Sequence, residues 1–217
     1  MHWHLFGVGY CRIMIATLSI QSPTGPLQIT LSFASSRDDK GLKAWKAPVH
    51  HSRPDLARDS IELAKLAGKR WRYYLRRNEA AISMSELLRK IKAQPTCEVG
   101  FILVAKSDSR GIPSTLAAAW CRRTWCNHLA LDFLTVHPAL NDPKGGFKGT
   151  GSAMLIGIAV VAEQIPCPLV WGEATETSCT FYQKLLGGTR VLDHFFFNQE
   201  ALGALRRQLP PQTIFQS

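Results

Sequence analysis

Long apolar runs and an export signal are both missing from this chain of 217 residues. No stretch reaches about 18 uninterrupted apolar residues, because Glu163 and Pro166 break the most apolar region and Arg12 breaks the first one. The first residues also lack a basic segment followed by an apolar segment and a small-residue cleavage site. We therefore expect a soluble, globular, cytoplasmic protein with no membrane span.

Paired metal-ligand spacings are absent as well. The six cysteines never fall at Cys-x-x-Cys spacing, which a closed zinc site needs unless histidines take their place. His2 with His4, and His50 with His51, have no partners at ligand spacing. We expect reduced thiols that behave as small buried hydrophobic side chains, and no bound metal.

Two common phosphate-binding motifs are incomplete in the glycine-rich segment 145–151, whose sequence is Gly-Gly-Phe-Lys-Gly-Thr-Gly. The dinucleotide-binding fingerprint lacks its third glycine, because Ser152 and Ala153 follow Gly151. A Walker A motif is excluded because Lys148 precedes the last two glycines and no Gly-Lys-Ser/Thr follows. Any phosphate ligand must therefore be of another kind.

The same segment lies between a strand-like run at 129–136 and an apolar helix-like run at 152–164. Glycines allow a sharp turn and the close approach of a phosphate, and the first amides of a helix are unpaired donors at the positive end of its dipole. The pattern predicts an anion-binding loop, although such glycines also occur in ordinary turns.

Three motifs follow one another in a fixed order: Leu-Thr-Val-His-Pro at 134–138, Gly-Phe-Lys-Gly-Thr-Gly at 146–151, and Phe-Tyr-Gln-Lys-Leu-Leu-Gly at 181–187. In these motifs the chain resembles the GNAT superfamily of N-acetyltransferases, over about residues 97–197. The family pattern has a Val-His-Pro-like strand end, an Arg/Gln-x-x-Gly-x-Gly/Ala loop and a Phe-Tyr-x-Lys-Leu-Gly helix.

The chain departs from the family pattern at three places. Gly146 stands where Arg or Gln is usual, Thr175 stands where Asn is common, and the loop over 138–149 is several residues longer than usual. The missing Arg removes one cation near a diphosphate. Lys144 and Lys148 could replace it as point charges, without the planar fork of a guanidinium.

From the resemblance we expect an α/β (α+β) fold with a GNAT-like mixed, mostly antiparallel central sheet flanked by helices. The family's fourth and fifth strands, here 127–136 and 168–173, would splay apart. Residues 1–54 would form an N-terminal hairpin extension and linker, and residues 55–217 the acetyltransferase domain with its motif-bearing core at 97–197.

Alternating and helical patterns place the remaining elements. The polar segment 35–54 reads as a loop or mobile linker. Ser83 and Glu86 predict a capping box at a helix start. The predicted strands are 12–21, 27–33, 99–105, 115–122 and 190–197, and the predicted helices are 55–77, 83–93, 177–185 and 199–208.

The resemblance implies acetyl-CoA (coenzyme A) as cofactor and the transfer of its acetyl group to a primary amine, by direct attack in a ternary complex. The pantetheine arm would pair with the strand edge formed by Leu134, Thr135 and Val136, and amides near Val136 would polarise the acetyl carbonyl. The diphosphate would be held by the amides of Lys148, Gly149, Thr150, Gly151 and Ser152.

The resemblance also implies that Tyr182 is the general acid that protonates the departing thiolate. A helical Phe-Tyr pair can instead be core packing. Ser178 could donate a hydrogen bond in the site or simply cap its helix. Glu173 ranks first and Asp132 second as the base for the substrate ammonium, whereas His137 before a proline resembles a structural residue.

Charge distribution keeps a second function open. Residues 1–93 carry 16 Lys and Arg against 7 Asp and Glu, whereas residues 94–217 carry 10 against 9. The alternative is a non-catalytic GNAT-fold module whose basic half contacts RNA or a protein, and a homodimer is a further option. In the helix 55–77 a cationic stripe opposes an apolar one; the first is Arg58, Lys65, Lys69, Arg72 and Arg76, the second Ile61, Ala64, Gly68, Trp71 and Leu75.

Overall fold

The computed structural model describes residues 14–209, so His2, His4 and Cys11 lie outside the described residues. This part of the chain forms seven strands and seven helices. The elements are β1 (Met14–Ser22), β2 (Gly25–Phe33), α1 (Ser36–Lys43), α2 (Pro54–Arg76), α3 (Met84–Ala93), β3 (Val99–Lys106), β4 (Thr115–Arg123), β5 (Leu129–Val136), α4 (Pro138–Asn141), α5 (Thr150–Gln164), β6 (Leu169–Glu173), α6 (Glu176–Leu185), β7 (His194–Asn198) and α7 (Gln199–Arg206).

All seven strands belong to one sheet, in the order β1-β2-β3-β4-β5-β6-β7. Every neighbouring pair is antiparallel except β5 and β6, which are parallel and are connected through α5. This mixed, mostly antiparallel sheet with helices on both faces confirms the GNAT-like fold class. The N-terminal hairpin is also confirmed, as β1 and β2.

The pairing between β5 and β6 is short. Leu129, Ala130 and Leu131 pair with 170–172, and no later residue of β5 pairs with β6. Residues 132–136 of β5 therefore have no partner in β6, and the space beside them is called the gap. This parting of the strands is the splay that the family resemblance implied.

Each face of the sheet carries its own hydrophobic core, because side chains alternate along every strand. One face packs against α5, which is apolar on almost all sides and lies between the sheet and α7. The opposite face packs against α1 and α2 and is rich in large rings, among them Trp45, Trp71, Tyr74 and Trp120. Within residues 14–209, no helix is long and apolar enough to cross a membrane.

The prediction of a loop or mobile linker over 35–54 is wrong for its first part, because α1 forms there. Ser35 and Asp38 make a capping box, in which the Ser35 N–H donates to Asp38 Oδ2 at 2.7 Å. Asp38 is buried and also binds Lys106 Nζ at 2.8 Å. The charges that suggested a solvated loop therefore cap and anchor a helix.

The amphipathic pattern of α2 is mostly confirmed. Ala64, Gly68 and Trp71 are buried as expected, and four of the five predicted cations are exposed. Leu75, expected on the apolar stripe, is 39% exposed. Arg72 is the half-buried exception among the cations, because it forms an ion pair with Asp39 of α1.

We expect Gly172→Ala to destabilise the fold, because a methyl group there would lie 2.4 Å from the carbonyl oxygen of Leu131 and 2.6 Å from the Phe195 ring. Overpacking of this kind costs about 1–3 kcal/mol in the free energy of unfolding. Gly203→Ala in α7 is the matched control, since its methyl group would meet only the Arg207 side chain at 3.5 Å. That change should stabilise the protein by about 0.5–1 kcal/mol.

Urea unfolding of both variants measures the two free energies. A Gly172→Ala protein as stable as the wild type would show that this contact does not fix the last pairing of β5 with β6.

Candidate functional site

The free edge of β5 presents main-chain donors and acceptors to the gap. The His137 N–H donates to the Leu116 carbonyl of β4 at 2.7 Å. Because main-chain groups alternate between the two edges of a strand, those of Leu134 and Val136 point to the opposite edge, where β6 has departed. Thr135 is 4% exposed and its hydroxyl donates to the Ser60 carbonyl of α2 at 3.0 Å, so this side chain fixes α2 instead.

The N-terminus of α5 supplies a second group of donors. Gly149 is the N-cap and has φ of 94°, a left-handed conformation that favours glycine. Among the hydrogen bonds within residues 14–209, none is donated by the amides of Gly149, Thr150, Gly151 or Ser152. Gly149 is exposed and Gly151 and Ser152 are half-buried, so an anion could reach these amides at the positive end of the helix dipole.

The amide of Lys148, also predicted to hold an anion, has another partner. Its N–H donates to the Gln21 carbonyl at 3.0 Å, and the Gln21 N–H donates back to the Lys148 carbonyl at 3.0 Å. Only the exposed side chain of Lys148 remains to contribute charge. The glycine loop is thereby fastened to the end of β1.

The geometry explains why Gly146 replaces the usual Arg or Gln. Gly146 has φ of 75°, and a methyl group there would lie 3.2 Å from the Pro23 ring in the β1–β2 turn. A larger residue would be strained in this backbone conformation. The contact between the loop and the hairpin therefore leaves no space for the Arg side chain that is usual at this position in the family.

Tyr182 lies inside the hydrophobic core on the α5 face of the sheet. It is 5% exposed and stacks on Phe195, with 3.8 Å between ring centroids. Burial raises the pKa of Tyr182, and the neighbouring Cys121 thiol adds to the shift, so the hydroxyl keeps its proton at neutral pH. The adjacent Phe181 ring packs against Gly151, which joins α6 to the start of α5.

Ser178 caps its helix, which is one of the two roles that the sequence allowed for it. Its hydroxyl accepts from the Thr175 N–H at 2.9 Å, and together the two residues form the capping box of α6. Its hydrogen bonds are therefore local to the helix start.

The two candidate bases, Asp132 and Glu173, differ in ion pairing and in exposure to solvent. Both oxygens of Asp132 accept from the Arg122 guanidinium, at 2.6 and 2.9 Å, and this contact is the main reason that the pKa of Arg122 is raised. Glu173 ends β6 with its side chain 82% exposed and 4.0 Å from Nε2 of His194. Of the two carboxylates, Glu173 is therefore the one whose side chain is largely open to solvent and not bound to an arginine.

His137 is a structural residue, as its sequence context suggested. Its Nδ1 accepts from the Ala139 N–H at 3.0 Å and caps α4, and its ring lies against Trp45. Burial lowers the pKa of His137 to about 4, so the imidazole is neutral at physiological pH.

One feature of the surface was missed by the sequence patterns. A groove of about 530 Å³ lies on the α2 face of the sheet and is lined by residues of β4, β6 and β7 and of the turn between β4 and β5. No short motif marks it, since each strand contributes alternate residues. The only sequence signal is the placement of aromatic or titratable side chains at positions 171, 194 and 196. Its lining residues are Glu98, Arg122, Thr124, Trp125, Cys126, His128, Leu169, Trp171, His194 and Phe196.

Within residues 14–209, no three His, Cys, Asp or Glu side chains come together in a way that could hold a metal ion. His51 has structural partners: its Nε2 lies 2.9 Å from Asn141 Oδ1, and its Nδ1 accepts from the Arg53 N–H. Cys121 is buried and Cys126 is exposed, and both are free thiols.

No protein-family profile and no curated protein sequence matches this chain. Among solved structures, an acetyltransferase of the GNAT family from Staphylococcus aureus is similar at 10% identity and a TM-score of 0.45, over 78% of this chain and 98% of that chain. Nourseothricin acetyltransferase is similar at 16% identity and a TM-score of 0.33, over 39% of this chain. This chain covers only 48% of the length of that protein. Superpositions this loose carry no weight for function.

We expect His137 to make stability pH-dependent between its ordinary pKa of about 6.5 and its folded pKa of about 4. In that interval the unfolded chain binds a proton that the native protein excludes, so stability falls as the pH is lowered. His137→Asn keeps a side-chain acceptor for the cap and removes the titration. Between pH 7 and pH 4 the stability advantage of the wild type over this variant should fall by at most about 3 kcal/mol.

Denaturant unfolding of both proteins at several pH values measures the difference. A difference that does not change with pH would show that the imidazole titrates equally in the folded and unfolded states.

Proposed function

We propose that the protein is an acetyl-CoA-dependent N-acetyltransferase that transfers an acetyl group to a primary amine by direct attack in a ternary complex. Two observations carry the proposal: β5 parts from β6 after three residue pairs, and at the N-terminus of α5 four amides donate no hydrogen bond within residues 14–209. A strand edge suits a ligand with its own amides, and a helix N-terminus suits a phosphate. Coenzyme A carries both groups.

The residues present fit this cofactor. The main chain of Leu134 to Val136 would pair with its pantetheine arm, and the amides of Gly149 to Ser152 would hold its diphosphate. The exposed side chains of Lys144 and Lys148 add positive charge near the same loop. When bound, the cofactor supplies the activated acetyl group.

The chemistry then needs two proton transfers and one oxyanion donor. The Val136 amide would stabilise the oxygen of the acetyl carbonyl as the amine attacks. Glu173 would accept the proton that the substrate ammonium must lose, and Tyr182 would give its proton to the departing sulfur. Holding both reactants in one gap provides much of the acceleration.

A non-catalytic binding module remains the second candidate. It is favoured by Gly146, which removes a cation from the loop, and by the exposed cationic face of α2. In that case the glycine loop would have structural value only. Binding of acetyl-CoA distinguishes the transferase from the non-catalytic module.

We expect acetyl-CoA to raise the thermal midpoint, because a ligand that binds only the folded state stabilises it by about 2.7 kcal/mol at 100 times its Kd. For a chain of this size the shift should be about 5–10 °C. Adenosine, which lacks the diphosphate, is the ligand control and should shift the midpoint far less. Lys148→Gln should weaken the response to acetyl-CoA several-fold by removing one cation. A flat response to acetyl-CoA, together with salt-sensitive RNA binding, would favour the second candidate.

We expect Tyr182→Phe to lower kcat about 100-fold or more, because general acid catalysis contributes about 10²–10⁴-fold. The affinity for acetyl-CoA should stay unchanged, since the ring and its stacking on Phe195 are retained. Tyr73→Phe, at an exposed position on α2, is the matched control. Detection of the free thiol in a screen of primary amines measures turnover. Unchanged turnover in Tyr182→Phe would remove this residue from the mechanism.

A further inference from the structure

The groove on the α2 face has an aromatic floor. Trp171 of β6 pairs with Ala130 of β5 on one side and with Phe196 of β7 on the other. Residues directly opposite each other in paired strands place their side chains on the same face. The volume of about 530 Å³ lies within the usual range for small-molecule sites of about 300–1,000 Å³.

Large rings in this groove are open to solvent. Phe196 is 55% exposed, and Trp125 at one end of the groove is 72% exposed. The helix α2 packs mainly on β3, β4 and β5. Clustered exposed aromatic side chains mark binding surfaces more often than isolated ones do.

One wall of the groove, formed by Glu98 and Arg122, carries excess negative charge together with Asp132 next to it. Glu98 and Asp132 share a single guanidinium, because Arg122 Nη1 donates to Glu98 at 2.9 Å and Arg122 Nε donates to Asp132 at 2.6 Å. The Tyr74 hydroxyl also donates to Glu98 and adds no charge. One cation cannot balance two carboxylates, so this wall is acidic although the whole chain carries +10.

The other end of the groove is acidic as well. His194 lines the groove and lies between two carboxylates, with Nδ1 3.0 Å from Asp193 and Nε2 4.0 Å from Glu173. An acidic, aromatic groove favours a cation and disfavours the phosphates of RNA or of the cofactor.

The groove leads to the gap between β5 and β6. Glu173 is two residues after Trp171 on the same strand, so both side chains lie on the α2 face. Gly172 between them is the last β6 residue that pairs with β5. A ligand bound on Trp171 would therefore lie two residues of β6 away from the gap. Glu173 would lie beside the end of the ligand that faces the gap.

We infer that this groove binds the acceptor as a primary ammonium carried on an aromatic or apolar body. The inference rests on the proposed function, and it places the two reactants on opposite faces of the sheet, with the cofactor on the α5 face. The rings of Trp171 and Phe196 bind the body, and the carboxylates together with the ring faces select the cation. Glu173 then accepts the proton as the amine enters the gap.

Three ligands test the inference by calorimetry on the full chain saturated with coenzyme A. They are 2-phenylethylamine, its neutral analogue 2-phenylethanol, and putrescine, a diamine without a ring. The wild type should bind 2-phenylethylamine about 5- to 30-fold more tightly than either of the others, which corresponds to cation–π and charge selection of about 1–2 kcal/mol.

Variants then assign the preference to the groove. Trp171→Ala should weaken 2-phenylethylamine about 10-fold and raise its KM similarly, with little change in kcat. Phe196→Ala, at a position that is 55% exposed, should act in the same direction. Glu98→Gln should reduce the amine-to-alcohol preference about 3-fold. Tyr73→Ala is an exposed aromatic change outside the groove and should alter none of these values.

Three outcomes overturn the inference. Equal binding of the three ligands, or groove variants that bind like the wild type, would show that the acceptor lies elsewhere. A dimer that becomes monomeric in Trp171→Ala would identify the groove as an interface between copies of the chain. If 2-phenylethylamine binds as expected while acetyl-CoA neither binds nor reacts, the groove's ligand preference stands and the proposed transferase activity fails.

Discussion

The short pairing of β5 with β6 is the constraint on which the site depends. A parallel pair inside a sheet normally uses its main-chain groups along its length, whereas here only three residue pairs form. The second half of β5 therefore leaves donors and acceptors without a strand partner in the middle of the sheet. Such groups are costly unless water or a ligand satisfies them. In the proposed function, the pantetheine arm of acetyl-CoA is that ligand.

The two faces of the sheet differ in the charge they favour. On the α5 face, helix amides that have no acceptor among the described residues, together with the exposed side chains of Lys144 and Lys148, favour an anion. On the α2 face, Glu98 and Arg122 line the groove, and Asp132 next to them shares the same guanidinium, so two carboxylates face one cation and favour a cationic ligand. A net charge of +10 does not reveal this separation, because it averages over the whole chain. Each face carries a local charge, and the charges on the two faces are of opposite sign.

Sequence patterns predicted most of the elements, because long strands and helices carry strong periodicity and the three motifs fixed their order. The strand predicted at 127–136 is β5, and the helix predicted at 152–164 is α5, which begins two residues earlier. The helix α1 was missed because its charged residues resemble a solvated loop, although Ser35 and Asp38 form a capping box. The groove could not be predicted, since its walls come from the β4–β5 turn and from residues of β4, β6 and β7, whose register only the folded sheet defines.

The bridge between Gln21 and Lys148 ties one of the family-like motifs to a hairpin that carries none of them. A recombinant fragment begun after residue 54 would keep all three motifs and lose both of these hydrogen bonds. It would also uncover the edge of β3, which in the full chain pairs with β2, and bare strand edges invite aggregation. Motif content is therefore a poor guide to where this chain can be cut.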